Sequence, residues 1–259
     1  MHYNRIIIFC DYGLDDAVAT LHILSHADMF DAIDVVPIGG NVPVGTAYRN
    51  AQSLLAAAEE EGLPCSSKLR IVDTRAVKQP RADIPDVHGV DGIGDILTHR
   101  NSDLPVVPIG EYIKQLAKKK DSPHDCVLSL GPCTLPRLIG YVPFCTVLMG
   151  GATNEPPNYG DYEFNEALDP ESFAVFAKRA AAVATLDTCH SDKLDFNIDH
   201  GGKLINKLAE RCLTLCKNRN CKPVIYDLVA ALAVTHPERF DAAHVKRADS
   251  VEYDELIYN

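Results

Sequence analysis

Runs of apolar, β-branched residues alternate with helical patterns along most of the chain, and this alternation restricts the fold more than any other feature. The run Arg5–Cys10 (RIIIFC) is typical of a strand that is buried on both faces. Residues 14–26 follow with apolar side chains at helical spacing. Strand–helix alternation of this kind predicts an α/β fold, in which helices cover both faces of a mostly parallel sheet.

The remaining elements follow the same alternation, with one interruption. Residues 73–108 are rich in proline, glycine and charge, and a break of this length is typical of a functional loop region. No repeat or linker divides the sequence, so we predict one domain over residues 1–259. Further strands are predicted at 33–38, 69–72, 126–130, 145–148 and 182–186, and helices at 47–61, 111–119, 135–139, 170–181, 204–216 and 224–234.

Charge and hydropathy argue against several classes of protein. The formal net charge is -11, whereas nonspecific nucleic-acid binding needs a basic surface. The sequence contains no apolar run of about 18 residues, so we expect neither a membrane span nor a membrane partner. We expect no signal peptide, because the first residues lead directly into a strand. A small uncharged ligand remains compatible with this composition.

Nine cysteines are scattered along the chain, and several lie within apolar runs. A reduced thiol behaves there as a small hydrophobic group, so we expect free thiols and a cytoplasmic location. Cys212, Cys216 and Cys221 lie close together in the sequence. A structural zinc site needs four ligands, and this cluster has neither Cys-x-x-Cys spacing nor a second pair of ligands. We therefore favour free thiols over zinc here.

Three carboxylates, those of Asp11, Asp15 and Asp16, follow the first predicted strand in the run DYGLDDA. Ligand sites of parallel sheets lie beyond the carboxyl ends of strands, where these residues fall. Helix capping explains one or two acidic residues at a helix start, but not a third at the strand end. Two carboxylates about 4 Å apart repel by roughly 4 kcal/mol at an effective dielectric near 20, against a domain stability of about 5–15 kcal/mol. A divalent cation with oxygen ligands would relieve this repulsion.

The acidic run resembles the signature of the inosine–uridine preferring nucleoside hydrolase family. Between residues 5 and 240, five more stretches resemble that family. Four of them occur at or just beyond predicted strand or helix ends, and the series from 149 to 171 is the most specific. The five are 39–42 (GGNV), 88–94 (HGVDGIG), 130–134 (LGPCT), 149–171 with its MGG, EFN and DPE motifs and with Asn158 near a further family asparagine, and 224–227 (VIYD).

The resemblance implies a Rossmann-like open α/β sheet and hydrolysis of the N-glycosidic bond of a ribonucleoside, modified ones included, in nucleoside and base salvage. It implies a Ca²⁺ ion held by Asp11, Asp16, the Thr134 backbone carbonyl and Asp227, with Asp11 also acting as general base on a water molecule. It further implies a homodimer or homotetramer. Substrate contacts are implied for Asp15, Asn41, His88, Met149, Asn158, Glu163, Asn165 and Tyr226.

Simpler interpretations exist for single residues of this set. Asn41 fits a plain Gly-Asn turn, and Asp227 fits a helix N-cap. A lone histidine such as His88 is more often structural than a ligand. Asp169, followed by Pro170 at the first helical position, fits a cap better than a substrate contact.

The sequence departs from the family pattern on the side of the base. Phe9 replaces a frequent acidic residue, Tyr12 a frequent proline, and Tyr226 a histidine that protonates the departing base in some members. The chain also has no tryptophan to stack on a base. The sugar-binding half of the site therefore matches and the base-binding half differs. Protonation of the base is left open between Tyr226, His88 and the loop residues Tyr159 and Tyr162.

Two other functions compete with this hypothesis. A haloacid-dehalogenase-like phosphatase with Mg²⁺ also carries an aspartate at a strand end, but its Asp-x-Asp-Gly-Thr pattern is absent here. A catalytically weak module that binds a nucleoside or ribose would keep the sugar contacts without turnover. Release of reducing sugar, release of phosphate, or binding alone distinguishes the three.

Overall fold

The computed structural model describes residues 1–63, 67–82, 84–119, 122 and 124–259. Within these ranges the strands are β1 (Arg5–Cys10), β2 (Ile33–Pro37), β3 (Leu69–Asp73), β4 (Val106–Pro108), β5 (Asp125–Ser129), β6 (Cys145–Met149), β7 (Ala182–Ala184), β8 (Phe240–Lys246) and β9 (Glu252–Tyr258). The α-helices are α1 (Leu14–Ser25), α2 (Val44–Glu60), α3 (Pro85–His88), α4 (Ile109–Ala117), α5 (Thr134–Ile139), α6 (Phe164–Leu168), α7 (Pro170–Ala177), α8 (Leu186–Cys189), α9 (Lys203–Asn218) and α10 (Tyr226–Thr235).

These strands form one sheet in the order β4-β3-β2-β1-β5-β6-β7-β9-β8. Neighbouring strands are parallel except β8 and β9, which make an antiparallel pair at one edge. The strand order reverses between β1 and β5, and the ligand crevice of an open α/β sheet lies at such a reversal. The predicted mostly parallel, open sheet is confirmed.

β1 is buried along its whole length because its side chains alternate between two hydrophobic cores. Ile6 and Ile8 belong to a core shared with α1, α2, α9 and α10. Ile7 and Phe9 belong to a second core shared with α4, α5 and α7. Helices therefore cover both faces of the sheet, as the sequence predicts.

The structure adds elements that the sequence pattern does not indicate. The region 73–108 contains the short helix α3 and the edge strand β4, and α6 and α8 are also short. The largest omission is the β8–β9 hairpin near the end of the chain. β8 is partly buried only at Phe240, Ala243 and Val245 and is otherwise exposed, so its sequence (FDAAHVK) does not need the apolar character that marks a central strand.

The hairpin fastens the loop that follows β6. Arg247, at the turn after β8, donates from Nη1 to Oε2 of the buried Glu166 in α6 at 2.7 Å. On β9, Glu255 accepts from the Thr153 hydroxyl at 2.8 Å, and the Tyr253 hydroxyl lies 3.1 Å from the same Thr153 oxygen. The hairpin thus fixes both ends of the segment between residues 153 and 166.

Among the described residues, no helix combines the length and apolar character needed to cross a bilayer. Eight cysteines of the described ranges are free thiols, and six of them are buried. Cys65 lies outside the described residues. Cys126 and Cys145 lie on neighbouring strands with their sulfur atoms 3.3 Å apart and no disulfide bond between them.

Candidate active site

Carboxylates from two distant parts of the chain converge beyond the carboxyl end of β1. Asp15 and Asp16 open α1, and Asp227 lies in the first turn of α10. Each of the three offers an oxygen, and these oxygens lie within 4.8 Å of one another. α1 and α10 pack side by side, and this packing is what brings residues 15–16 and 227 together.

Asp16 has a structural role in addition to its place in the cluster. Its Oδ2 accepts from the Gly13 backbone N–H at 2.8 Å and its Oδ1 from that of Asp11 at 3.1 Å. This satisfies amide groups at the start of α1, so the capping interpretation is confirmed for Asp16. For Asp227 it is not: the cap of α10 is Ile225, with no side-chain hydrogen bond.

Asp11 is fully buried between β1 and the turn after β2. The Asn41 backbone N–H donates to its Oδ2 and the Asn41 side-chain amide to its Oδ1, both at 2.8 Å. The same amide lies 3.3 Å from Asp16 Oδ2. A Cβ on Gly40 would lie 1.8 Å from Asp11 Oδ2, so the turn can approach this carboxylate only with glycine there. Asn41 is therefore more than a plain turn residue.

Burial is the main influence on these acids. It raises the pKa of Asp11 to about 7, against the lowering effect of the hydrogen bonds from Asp16 and Asn41. It raises the pKa of Asp16 and of Asp227 well above the usual range, and the neighbouring carboxylates raise both further. Charged carboxylates at these positions therefore need a positive partner.

The cluster fits a hard divalent cation. Its donors are oxygens only, which favours Ca²⁺ or Mg²⁺ over zinc. Asp15 Oδ1 is buried and accepts no hydrogen bond from the described residues; His88 Nδ1 is the near group, 3.6 Å away. Thr134 begins α5, and its hydroxyl donates to Asp169 at 2.6 Å. The backbone carbonyl of Thr134 is therefore its candidate ligand for the cation. Asp169 caps α7 by accepting from the Ser172 N–H, as predicted.

A cavity of about 230 Å³ opens beside the carboxylates. Its size suits a small molecule rather than a polymer. Of the predicted metal ligands, Asp227 also lines it, while Asp11 and Asp16 lie buried behind it. All eight predicted substrate residues line this cavity: Asp15, Asn41, His88, Met149, Asn158, Glu163, Asn165 and Tyr226.

Glu163 and Asn165 are held rigidly at the start of α6. Glu163 Oε2 accepts from the backbone N–H of Gly151 at 3.0 Å and of Glu166 at 3.1 Å. Gly151 has φ +77°, which favours glycine, and burial raises the pKa of Glu163 to about 7. Asn165 donates to the carbonyls of Leu130 and Met149, so its own carbonyl oxygen is available to accept from a ligand hydroxyl.

His88 is buried, and its hydrogen bond defines its tautomer. The Leu14 backbone N–H donates to its Nδ1 at 3.1 Å, so the ring proton of the neutral imidazole lies on Nε2. Burial lowers the pKa of His88, which favours this neutral form. The ring therefore serves as a hydrogen-bond donor and is poorly suited to protonating a leaving group.

Tyr226 belongs to a chain of polar side chains at the cavity wall that the sequence does not reveal. Its hydroxyl lies 3.1 Å from His190 Nε2, and His190 Nδ1 lies 3.1 Å from Glu155 Oε2. Glu155, His190 and Tyr226 come from three separate segments. Burial raises the pKa of Tyr226, so the phenol is protonated at neutral pH.

The structure also places residues in the cavity that sequence reasoning missed. The end of α9 and the segment after it contribute Cys216, Arg219, Cys221 and Lys222, while Ile84, Val87 and Phe164 add an apolar surface. The cysteine spacing was the signal that marked this segment. Among the described residues, Cys212, Cys216 and Cys221 belong to neither of the two residue groups with metal-ligand geometry.

A Rossmann-like sheet with a carboxylate cluster and a small cavity at its strand reversal has the arrangement of a small-molecule site. Residues 6–255 match the model of the inosine-uridine preferring nucleoside hydrolase family, and the chain belongs to that family of N-ribohydrolases, which release free base from ribonucleosides. The predicted family is confirmed, and the phosphatase alternative is excluded.

Individual relatives agree with this assignment. The chain is 28% identical to "Probable uridine nucleosidase 2" of Arabidopsis thaliana, over 83% of this chain and 68% of that protein. It is 26% identical to "Non-specific ribonucleoside hydrolase RihC" of Salmonella newport, over 91% and 80% respectively. Its fold is similar to that of the plant nucleoside hydrolase PpNRh1, with a TM-score of 0.71, 21% identity, and coverage of 99% of this chain and 87% of the other.

Proposed function

We propose that this chain uses Ca²⁺ to hydrolyse the N-glycosidic bond of a ribonucleoside, releasing ribose and free base. The observation that supports this best is the convergence of Asp15, Asp16 and Asp227 within 4.8 Å beside a cavity lined by every predicted substrate residue. Two helices far apart in sequence have to meet to produce this arrangement.

We propose that Asp11, Asp16, Asp227 and the Thr134 carbonyl hold the cation. These oxygen donors suit Ca²⁺, which accepts six to eight oxygen ligands in flexible geometry. When bound, the cation supplies Lewis acidity that makes water a better nucleophile at neutral pH. Asp15 shares the cluster, and its unpartnered oxygen and place in the cavity wall support a role towards the sugar.

Asp11 is proposed as the general base. A water oxygen forms a bond to the anomeric carbon while the bond from that carbon to the base nitrogen breaks, and Asp11 takes one proton of the water. Asn41 holds both Asp11 oxygens at 2.8 Å, so the carboxylate is fixed before substrate arrives. Burial raises the pKa of Asp11 to about 7 without the cation, and a bound cation would keep the carboxylate ionised and able to accept the proton.

The sugar is proposed to bind between Asp15, Asn41, Glu163 and Asn165, with Asn158, Met149 and His88 around it. Three of these groups have free or directed polar atoms: Asp15 Oδ1, the Asn165 carbonyl oxygen and the His88 Nε2–H. Contacts that tighten as the ribose flattens towards an oxocarbenium ion favour the transition state over the ground state.

Tyr226 is proposed as the proton donor to the departing base. The Tyr226 hydroxyl lies 3.1 Å from His190 Nε2, and His190 Nδ1 lies 3.1 Å from Glu155 Oε2. The Tyr226 hydroxyl proton passes to the base nitrogen as the glycosidic bond breaks, and the phenolate left behind keeps its contact with His190. The phenolate then regains a proton from solvent, in balance with the water proton that Asp11 takes up and releases.

Sugar release from a panel of nucleosides, with and without a calcium chelator, tests the proposed function. We expect release that requires Ca²⁺, and a loss of kcat of about 10²–10⁴-fold in Asp11→Ala with a smaller change in KM. Asp28→Ala, at an exposed position away from the cavity, is the control. Binding without turnover would instead identify the weak nucleoside- or ribose-binding module, and near-normal turnover by Asp11→Ala would refute its role as base.

A second assay isolates Tyr226 and His190. Tyr226→Phe and His190→Gln should lower kcat by about 10²-fold or more on purine nucleosides, because general acid catalysis contributes at least that much. Both variants should act nearly normally on a riboside that releases 4-nitrophenolate, which leaves without protonation. Equal losses on both substrates would mean that these residues only maintain the structure.

We further propose a single-domain, cytoplasmic enzyme of nucleoside and base salvage that forms a homodimer or homotetramer and has no nucleic-acid or membrane partner. One sheet contains strands from residue 5 to residue 258, which supports a single domain. The free, mostly buried thiols support a reducing compartment. Light scattering of the purified chain tests the oligomeric state.

A further inference from the structure

Three histidines form a second cluster at the opposite end of α1 and α10. His22 and His26 lie four residues apart on and just after α1, and His236 follows the last residue of α10. Each ring offers one nitrogen, and these nitrogens lie within 4.8 Å of one another. The ring centroids are 4.5 Å apart for His22 and His26, 6.1 Å for His22 and His236, and 5.3 Å for His26 and His236.

The spacing and the ligand type suit a transition metal. Two histidines at i and i+4 share one face of a helix, which is the arrangement of helical zinc sites. Three nitrogens bound to one tetrahedral ion at about 2.0–2.1 Å would lie about 3.4 Å apart. The nitrogens of the cluster lie within 4.8 Å of one another, so binding requires the partly buried His26 and His236 rings to move closer to His22. Imidazole ligands favour zinc-like ions over Ca²⁺.

Hydrogen bonds already orient the rings as in metal sites. His26 Nδ1 donates to the His22 carbonyl at 2.9 Å. The Thr235 hydroxyl donates to the Ala231 carbonyl, so its oxygen accepts from His22 Nε2 at 2.8 Å and from His236 Nδ1 at 2.9 Å. Each ring thus directs one N–H at a protein oxygen, and the nitrogens left with a lone pair for a metal are His22 Nδ1, His26 Nε2 and His236 Nε2.

The surroundings of His22 and His236 favour the neutral imidazole, which is the form that binds metals. Burial lowers the pKa of His22 to about 3, and the neighbouring histidines lower it further. Burial and Arg239 lower the pKa of His236, while Glu238 acts in the opposite direction. His26 and His236 are only partly buried, so an ion can enter from solvent.

We infer that His22, His26 and His236 form a binding site for one transition-metal ion of the zinc class, with water as the fourth ligand. The site ties the far ends of the two helices whose first turns carry Asp15, Asp16 and Asp227. His26 is ten residues beyond Asp16, a rise of about 15 Å along the helix. The ion is therefore remote from the bound sugar and makes no contact with it. Its effect is to stabilise the packing of α1 against α10.

Zinc titration of the untagged, Ca²⁺-saturated protein tests this site, and hydrolysis is not the readout. We expect one Zn²⁺ per chain, not displaced by excess Ca²⁺, and a raised melting temperature. Zinc affinity should fall at least tenfold in His26→Gln and in His236→Gln, and stay unchanged in His244→Gln, an exposed histidine outside the cluster.

X-ray absorption of the zinc-loaded protein supplies an independent measurement. We expect about three nitrogen ligands of the imidazole type at about 2.0–2.1 Å. Both partly exposed positions are tested because His22 is buried and its replacement risks the fold. Equal zinc affinity in His26→Gln, His236→Gln and His244→Gln, or no binding to the unaltered chain, would overturn the inference.

Discussion

The amino ends of the parallel strands form one side of the sheet, here called the amino edge, and their carboxyl ends form the carboxyl edge. Buried aspartates have opposite surroundings at these two places. At the amino edge, Asp34 on β2 is fully buried but paired: Arg70 donates to both of its oxygens at 2.6 and 3.1 Å, the Tyr112 hydroxyl donates at 2.8 Å, and Arg5 lies 3.4 Å away. At the carboxyl edge, no lysine or arginine of the described chain pairs with Asp11, Asp16 or Asp227.

The difference separates structural acids from functional ones. A buried carboxylate is tolerated when the chain supplies the compensating charge, as it does for Asp34. Where the chain supplies only backbone N–H groups and one amide, the compensating charge has to come from a ligand. The unequal treatment of the two edges therefore marks the site as clearly as the family motifs do.

The largest effect should come from removing the paired aspartate at the amino edge, Asp34. Asp34→Ala leaves Arg5 and Arg70 without their buried partner, so we expect a loss of about 3–5 kcal/mol in the free energy of unfolding. Urea denaturation measures it, and Asp28→Ala, at an exposed position, should change stability by no more than about 0.5 kcal/mol. A loss below 1 kcal/mol for Asp34→Ala would contradict this account of the amino edge.

Replacing an unpaired aspartate at the carboxyl edge should instead reduce activity without reducing stability. Asp227→Asn keeps the shape and removes a charge that no described side chain neutralises. We expect kcat/KM to fall by about 10²–10³-fold and calcium affinity to drop, with unfolding in chelator unchanged or improved. A variant that is markedly less stable in chelator would show that Asp227 has a structural role after all.

The smallest of the three effects concerns pH. The folded pKa of Asp11 is raised to about 7, above its unfolded value, so its contribution to the stability of the calcium-free protein is present at acid pH and is lost as pH rises towards 7. Calcium binding must displace that proton, so calcium affinity should fall by up to about tenfold per pH unit below pH 7. Calorimetric titration between about pH 5.5 and 8, a range of about one unit or more on either side of that pKa, measures the slope. A flat profile would mean that Asp11 is already ionised in the calcium-free protein.

The sequence predicts those parts of the site that strand ends place directly. Asp11, Asn41 and Glu163 each occupy a short motif next to a strand or helix end, and topology alone brings such positions to one edge. Glu155 and His190 were missed because neither lies in a motif and their contact with Tyr226 depends on how loops pack. The hairpin was missed because an exposed edge strand needs few apolar residues.

The cation set shows the same limit in finer detail. The sequence grouped Asp11 with Asp16 and Asp227, whereas the triplet whose oxygens lie within 4.8 Å of one another includes Asp15 instead. Asp11 is joined to Asp16 through Asn41. Side-chain rotamers and hydrogen bonds decide this, and no periodicity encodes them. The histidine cluster was equally hidden, because His236 lies 210 residues beyond His26 in sequence (236 − 26).

The hairpin contact between Arg247 and Glu166 bears on how preparations of this enzyme should be handled. The turn from 247 to 251 is largely exposed, so contaminating proteases would cut there first. A sample cut in this turn would keep its central sheet and its circular dichroism spectrum. It would bind the sugar poorly, because α6 would no longer be held by the contact between Arg247 and Glu166. Variation in KM between batches should therefore be checked by mass spectrometry before it is attributed to the substrate.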